Sequence, residues 1–183
     1  MREGTIYREF VDRKDRHVTL RAPRWSDNDG LLALFNGVVD EGGDILIGTR
    51  STRESELDFV SRLLTNVEKD RTVSVVAESG GEVVGHVDVW RGSGFSDHVG
   101  TLGILVATSH RDAGIGWELM MEAEVQARRI GVEIMKLEVY ARNARAFHLY
   151  ESVGYMTVGR LSRNIKRDGG YLDTLIMVKN VPR

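Results

Sequence analysis

The segment Arg111-Asp112-Ala113-Gly114-Ile115-Gly116 has a composition and a position that suit phosphate binding. An apolar stretch precedes it and an amphipathic pattern follows it, which predicts a strand leading through a turn into a helix. A helix begins with unpaired backbone N–H groups and about half a positive charge, glycines leave room for an oxygen anion, and Arg111 can add a charge-assisted hydrogen bond. We therefore predict a pyrophosphate cradle. The alternative is an ordinary glycine-rich helix start with a solvated arginine, and the spacing matches neither the dinucleotide fingerprint nor the Walker loop.

A second segment downstream combines a strand, an asparagine, a short helix and a tyrosine. Asn143 and Tyr150 are separated by about two helical turns, so both face one way and a ligand lying along that face could contact both. A phenol is protonated at neutral pH and can donate a proton to a departing thiolate. Structural roles are open for both residues: Asn143 as the cap that begins the helix, and Tyr150 as a half-buried side chain packed on a sheet.

Together the two segments resemble the GCN5-related N-acetyltransferase (GNAT) superfamily. Residues Arg111–Gly116, after a strand, are similar to the family's R/Q-x-x-G-x-G/A motif for coenzyme A, and residues 137–155 are similar to its second motif. The resemblance extends over about residues 18–178, and the closing strand around Tyr171–Met177 is similar to relatives that act on small amines or protein N-termini. The chain departs from the usual pattern at Asp112, whose carboxylate is expected near the pyrophosphate.

The resemblance implies an enzyme that transfers an acetyl group from acetyl-CoA to a primary amine, with Tyr150 as the general acid toward the coenzyme A thiolate. It also implies that the strand before the cradle splays from its neighbour and binds the pantetheine arm through its backbone, because an unpaired strand edge is a template for an amide-containing ligand. The residues that the resemblance assigns to the cofactor are Ile104, Leu105, Val106, Arg111, Asp112, Ala113, Gly114, Ile115, Gly116, Asn143 and Ala146.

The expected reaction is direct attack of a neutral amine on the thioester, which needs no covalent enzyme intermediate and so agrees with a chain that has no cysteine. The amine must lose a proton, so a general base or a water chain is required. Asp88 and Glu138 rank first for this role, ahead of His86 and His98. A solvated or hydrogen-bonded structural role is open for each of them. Backbone N–H groups near Leu105 are candidates to stabilise the oxyanion.

The acceptor is less defined by the sequence. Asp40, Glu41 and Asp44 lie between the first two predicted helices and are candidates to attract a cationic amine, while a solvated acidic loop is the alternative. Three other functions stay open: a protein that binds acyl-CoA without catalysis, an enzyme that uses another acyl-CoA, and an enzyme whose acceptor is a protein N-terminus.

Hydrophobic periodicity places these segments on a mixed sheet that carries helices. The predicted order is β-α-α-β-β-β-α-β-α-β-β, which begins with a strand at Val18–Ala22 and ends with strands at Thr157–Ile165 and Tyr171–Val178. The prediction is an α/β (α+β) protein in which a mixed, mostly antiparallel sheet of about seven strands is flanked by about four helices. The family resemblance implies that this is the GNAT fold. We expect a single domain over residues 1–183, because this length suits one hydrophobic core and no linker divides the chain.

The composition of the chain limits the kinds of partner that it is expected to bind. The chain has 25 Lys and Arg against 27 Asp and Glu, a net charge of −2 that predicts no broad grip on nucleic acid or on an anionic membrane. Without cysteine there is no thiolate metal site, and the five histidines lack metal-binding spacing, so no metal is predicted. The polar N-terminus does not read as a signal peptide, and no apolar run is long enough to cross a bilayer. We therefore expect a cytoplasmic protein, and a homodimer because relatives are often dimers.

Overall fold

The computed structural model describes residues 2–42 and 48–182 and contains one eight-stranded sheet with helices packed on both faces. The strands are β1 Ile6–Val11, β2 His17–Arg21, β3 Thr72–Ser79, β4 Glu82–Arg91, β5 Val99–Val106, β6 Ile134–Tyr140, β7 Met156–Arg167 and β8 Gly170–Asn180. The α-helices are α1 Asn28–Asp40, α2 Arg53–Glu68, α3 Ile115–Arg129 and α4 Ala144–Ser152. None of these helices has both the length and the apolar character that a membrane crossing requires.

The strands lie in the order β1-β2-β3-β4-β5-β6-β8-β7, and every neighbouring pair is antiparallel except β5 and β6. This parallel pair is short. It joins Val99 to Ile134, Gly100 to Met135 and Thr101 to Lys136, and beyond these residues the two strands diverge. Within the described residues, the rest of β5 pairs with β4 alone, so its other edge is open. The splay that the family resemblance implies is therefore present in the middle of the sheet.

The main core lies between the sheet and α3. The amphipathic pattern predicted after Gly116 is confirmed as the buried stripe of this helix, because Ile115, Leu119, Ala123 and Ala127 are completely buried and Ile130 is nearly so. Each large aliphatic side chain in such a core contributes about 1.5–3 kcal/mol through its removal from water. A smaller apolar cluster packs α1 and α2 on the opposite face of the sheet. Helices thus cover both faces of the sheet, and the diverging strands β5 and β6 lie between these helices.

The predicted fold class is confirmed, with one strand more than expected. The missed strand, β1, pairs with β2 at the edge of the sheet, and its side chains are exposed or half-buried on both faces. An edge strand of this kind does not need the alternation of apolar and polar residues by which a strand is recognised. Residues Met1–Phe10 therefore looked like a polar terminus, although Ile6–Val11 form a strand.

Candidate functional site

The diverging strands open a cleft of about 1580 Å³ whose walls come from opposite faces of the sheet. We call residues 104–106, 111–116 and 143–150 the cradle side, since they include the predicted phosphate turn. We call residues 31–38, 51–62 and 86–90 the α1–α2 side, since α1 and α2 cover this part of β4. The structure thus brings both predicted motifs to one cavity and adds a second wall to it.

The turn before α3 exposes a run of backbone N–H groups. Asp112 and Gly114 have the left-handed φ values of +60° and +90°, and α3 begins directly afterwards at Ile115. Among the residues that the structure describes, none accepts a backbone hydrogen bond from the N–H groups of residues 112–116. Ala113 and Ile115 are buried, so their side chains fix the turn in the core while its N–H groups stay open to the cleft. Such a concave run of N–H groups at a helix start suits an anion.

Gly116 is required by the close approach of two helices. A Cβ at this position would lie 3.0 Å from Leu149 Cδ2 and 3.8 Å from Val106 Cγ2. Leu149 belongs to α4 and Val106 ends β5, so a side chain here would press on Leu149 and reduce the space on the cradle side. Glycine therefore has a packing role at this position as well as leaving room for a ligand.

Arg111 holds the turn in place through contacts within the protein. Its Nε donates to the carbonyl oxygen of Val106 at 3.0 Å, and its Nη2 lies 3.3 Å from Glu41 Oε2. Glu41 also accepts a hydrogen bond from the hydroxyl of Thr108. The guanidinium predicted to bind phosphate is thus already bound to the end of β5 and to a residue just beyond α1.

The side chain of Asp112 is paired with a cation on α4. Its Oδ1 lies 3.6 Å from Nε of Arg145 on α4, and both side chains are mostly exposed. The unusual carboxylate in the motif is therefore paired with a cation at the rim of the cleft.

The turn between β1 and β2 supplies a basic residue that sequence reasoning missed. Arg13 donates from its backbone N–H to the carbonyl oxygen of Ala113 at 3.1 Å, and its Nε would lie 3.6 Å from a Cβ on Gly114. Arg16, in the same turn, donates to the carbonyl oxygen of Ser109 at 3.0 Å. Because β1 was not predicted, only the run of basic residues before the first predicted strand could have drawn attention to this turn.

Asn143 and Ala146 meet at the start of α4. Asn143 is the N-cap, and its Oδ1 accepts a hydrogen bond from the backbone N–H of Ala146 at 3.1 Å. The capping role that was left open in the sequence is thus present, and both residues also line the cleft.

Tyr150 lies near the end of α4 and faces the cleft, although only 7% of its surface is exposed. Burial raises the pKa of its hydroxyl to about 12, so the phenol is protonated at neutral pH. Tyr155 packs beside it with the ring centroids 6.1 Å apart. The Tyr155 hydroxyl is also buried, and it has no hydrogen-bond partner among the described residues.

The two first-ranked candidates for the base, Asp88 and Glu138, lie on either side of β5. Asp88, on β4, pairs with Gly103 of β5. On the other side, Lys136 is the last residue of β6 that pairs with β5. Glu138 lies two positions beyond Lys136, so the two side chains share one face of β6. A Cβ on Gly103 would lie 3.0 Å from Asp88 Oδ1, so the missing side chain leaves space beside this carboxylate. Glu138 is exposed and accepts a long hydrogen bond of 3.4 Å from Asn164.

Asp88 is held in a buried environment. Burial raises the pKa of its carboxyl, while His86 and hydrogen bonds from the Trp90 side chain and the Gly103 backbone oppose this rise. His86 is buried next to it, with Nε2 2.8 Å from Ser74 Oγ. Burial lowers the pKa of His86, which favours the neutral imidazole at neutral pH. Among the described residues, no three His, Asp or Glu side chains are grouped to hold a metal ion.

The acidic residues predicted to attract an amine are used otherwise where the structure describes them. Asp40 forms an ion pair with Arg50, and Glu41 forms one with Arg111. Asp44 lies outside the described residues. A different carboxylate, Glu56 on α2, lines the cleft, and sequence reasoning missed it because it follows Glu54 in a stretch that looks like an ordinary charged helix.

Comparison with known proteins agrees with this geometry. The family model described as the acetyltransferase (GNAT) family matches residues 40–155. The L-amino acid N-acyltransferase MnaT of Escherichia coli (strain K12) is 25% identical over 105 residues, which are 56% of this chain. The match spans 61% of the length of that curated relative.

Solved structures are similar over most of the chain. The ribosomal-protein-alanine N-acetyltransferase of Brucella melitensis is 29% identical with a TM-score of 0.78, and the alignment covers 88% of this chain and 98% of that one. The acetyltransferase YncA of Salmonella typhimurium, solved with acetyl-CoA, is 20% identical with a TM-score of 0.80 over 90% and 94% of the two chains. The phosphinothricin acetyltransferase of Sinorhizobium meliloti, also solved with acetyl-CoA, is 20% identical with a TM-score of 0.77 over 90% and 88%.

Proposed function

The chain belongs to the acetyltransferase (GNAT) family, and we propose on this basis that it transfers the acetyl group of acetyl-CoA to a primary amine. The observation that carries the proposal is the run of open N–H groups at residues 112–116, which continues from the open edge of β5 in one cleft. A ligand with a pyrophosphate and an amide-containing arm matches this sequence of groups. The acetyl-CoA bound in two similar structures and the acyl transfer named for the Escherichia coli relative support it.

For the donor, we propose that the N–H groups of residues 112–116 bind the pyrophosphate. The open backbone edge at Ile104, Leu105 and Val106 would pair with the amides of the pantetheine arm, and Asn143 and Ala146 would contact the same arm from α4. The extended arm then reaches Tyr150, which lies two turns along α4 from Asn143. The thioester would thus lie between Tyr150 and β5.

Two arginines have different roles in this proposal. Arg111 contacts the Val106 carbonyl and Glu41, so it stabilises the turn that presents the N–H groups. Arg13 lies beside Gly114 and forms no ion pair with a described carboxylate, so its guanidinium is available for a phosphate. We assign the side-chain contact with the phosphates to Arg13, which the family motif does not include.

For the reaction, the amine nitrogen attacks the carbonyl carbon of the thioester and the carbon–sulfur bond breaks. Tyr150 gives its proton to the departing thiolate and is then protonated again from solvent. Asp88 takes the proton that the amine loses, because its buried carboxyl has a raised pKa and lies beside the space above Gly103. Glu138, on the other side of β5, is the second candidate for this step. Backbone N–H groups near Leu105 would stabilise the developing oxyanion.

The test is a calorimetric titration of the protein with acetyl-CoA, followed by a screen of amine acceptors. Released coenzyme A is measured with a thiol reagent, and the protein adds no background because it contains no cysteine. Micromolar binding and amine-dependent thiol release are the expected results. No binding at millimolar acetyl-CoA would contradict the proposal, and binding without turnover of any amine would leave only an acyl-CoA-binding protein.

A protein N-terminus is a second candidate acceptor, favoured by the similarity to the Brucella enzyme, which is named for its action on a ribosomal protein. The screen therefore includes short peptides with free N-termini and an acyl-CoA series. A cytoplasmic location, a single domain over residues 1–183 and a homodimer remain predictions, to be checked by fractionation, limited proteolysis and light scattering.

A further inference from the structure

Glu56 is a buried carboxylate that lines the cleft and has no partner among the residues that the structure describes. It lies near the start of α2, only 5% of its surface is exposed, and it lines the α1–α2 side. No hydrogen bond or ion pair joins its side chain to another described residue, and burial alone raises the pKa of its carboxyl. A carboxylate that is removed from water without a compensating charge or hydrogen bond destabilises a protein.

Other buried carboxylates of this protein do have partners. Asp12 accepts from the side chain of Arg16 and from two backbone N–H groups, and Asp27 binds both terminal nitrogens of Arg21 at 2.7 Å. Asp88, which is half-buried, has the Gly103 backbone and the Trp90 side chain as donors. Glu56 differs from all three, so its charge is available to a ligand in the cleft.

The position of Glu56 relates it to the proposed reaction. Phe59 lies one turn further along α2, and its ring centroid is 6.4 Å from those of His86 and Trp90. These two residues flank Asp88 on β4, so Glu56 and Asp88 lie in the same part of the cleft, on the α1–α2 side. Apolar residues line this side as well: Leu31, Leu34, Phe35, Val38 and Phe59.

We propose that Glu56 binds a positively charged group of the acceptor other than the amine that is acetylated. This inference rests on the proposed function and names its substrate class: an amine with a second ammonium or guanidinium group, joined to the first by an apolar spacer. The apolar wall would contact the spacer, Asp88 would face the reacting amine, and Glu56 would pair with the distant cation. Arg62 also lines the cleft and is exposed, so a preference for an acceptor with a carboxylate is the competing outcome.

The test compares lysine amide with norleucine amide, two acceptors that differ in the terminal ammonium. Wild-type protein should show a KM about tenfold lower for lysine amide, a difference of about 1.4 kcal/mol. Glu56→Gln should abolish this preference with kcat changed by less than about threefold, because the substitution removes charge and keeps shape. Glu54→Gln, an exposed position on the same helix, is the matched control and should keep the preference.

A second measurement does not depend on turnover. Lysine amide is titrated by calorimetry into the wild-type and Glu56→Gln proteins, each saturated with coenzyme A. Binding to the wild type that is lost in the variant supports the inference. Equal affinity of the wild type for both amides, a preference for glutamate amide, or a lysine preference that persists in Glu56→Gln would overturn it. Failure to bind acetyl-CoA, in contrast, would contradict the proposed function itself, so the two failures are distinguishable.

Discussion

The two sides of the cleft are built in different ways. The cradle side uses backbone N–H groups of consecutive residues, fixed by buried Ala113 and Ile115, together with one short helix. The α1–α2 side uses individual side chains, such as Glu56 and Asp88, that come from elements far apart in the sequence. A ligand held by backbone groups can be kept while the side chains opposite it change. In the proposed function, donor binding therefore depends on the fold, and acceptor binding depends on particular residues of this chain.

This comparison predicts which substitutions change chemistry, which change donor binding and which change acceptor choice. Substitutions on the cradle side should affect every acceptor equally, because they act on the shared donor. Substitutions on the α1–α2 side should leave the affinity for acetyl-CoA unchanged. The largest expected effect is on the chemical step, and the smallest is on donor binding.

Replacing Tyr150 by Phe should lower kcat about 1000-fold, within the roughly 10²–10⁴-fold that general acid catalysis contributes. The affinity for acetyl-CoA, measured by calorimetry, should stay within about twofold of wild type. Tyr155→Phe is the control, because it removes a neighbouring buried hydroxyl that has no partner among the described residues. It should leave kcat nearly unchanged and should not lower the melting temperature. A similar loss in both variants would mean that packing, and not proton donation, explains the Tyr150 effect.

Replacing Asp88 by Asn should lower kcat/KM about 300-fold, since it removes the proposed base. In wild type, kcat/KM should rise as the pH rises through the pKa of Asp88, which burial holds above its usual range, and this limb should vanish in the variant. Because the pKa of Asp88 is higher in the folded protein than in the unfolded chain, protonated Asp88 stabilises the fold. This stabilisation is fully present below the pKa of Asp88 in the unfolded chain, and it is lost as pH rises through its pKa in the folded protein. The variant should therefore be no less stable at neutral pH. A larger loss in Glu138→Gln would assign the base to Glu138 instead.

Replacing Gly116 by Asp should weaken acetyl-CoA binding about 100-fold, or about 3 kcal/mol, because a carboxylate would face the phosphates and its Cβ would press on Leu149. Gly170→Asp is the control, since a Cβ at this exposed position lies 3.7 Å or more from its neighbours. Calorimetry gives the affinity, and circular dichroism shows whether α3 and α4 remain folded. Unchanged affinity in a folded variant would contradict the position of the cradle.

The same contrast explains how much the sequence could predict. Strand Ile134–Tyr140 and helix Ala144–Ser152 can be predicted from the sequence with these same bounds, because strand alternation and the Asn143 cap are local signals. Both motifs of the cradle side were found for the same reason. Their residues are close in the chain, so their spacing together with the family resemblance indicates which groups can act together.

The residues that were missed depend on tertiary structure. Arg13 reaches the cradle only because β1 pairs with β2 and its turn bonds to Ala113. Glu56 is recognisable only once its burial and the absence of a partner among the described residues are known. Asp40 and Glu41, which the sequence offers as candidates to attract an amine, are each paired with an arginine in the structure. Charge in a sequence does not say which charges are free.

The smallest expected effect on acetyl-CoA binding distinguishes Arg13 from Arg111. Arg13→Ala should weaken acetyl-CoA binding about tenfold, because one exposed charge-assisted contact with a phosphate is lost. The same variant should bind S-acetylpantetheine, which lacks the pyrophosphate, as wild type does, and its affinity for acetyl-CoA should depend less on salt. Lys14→Ala, at the neighbouring exposed position, is the control.

Arg111→Ala should behave differently, because Arg111 contacts the Val106 carbonyl and Glu41. Its removal should lower the melting temperature and weaken acetyl-CoA and S-acetylpantetheine together, since the end of β5 loses support. If Arg111→Ala instead weakened only the phosphate-bearing ligand, without a change in stability, Arg111 would be the phosphate contact, as the family motif implies. Arg13 would then be only a surface residue beside Gly114, and donor binding would be contained in the contiguous motif alone.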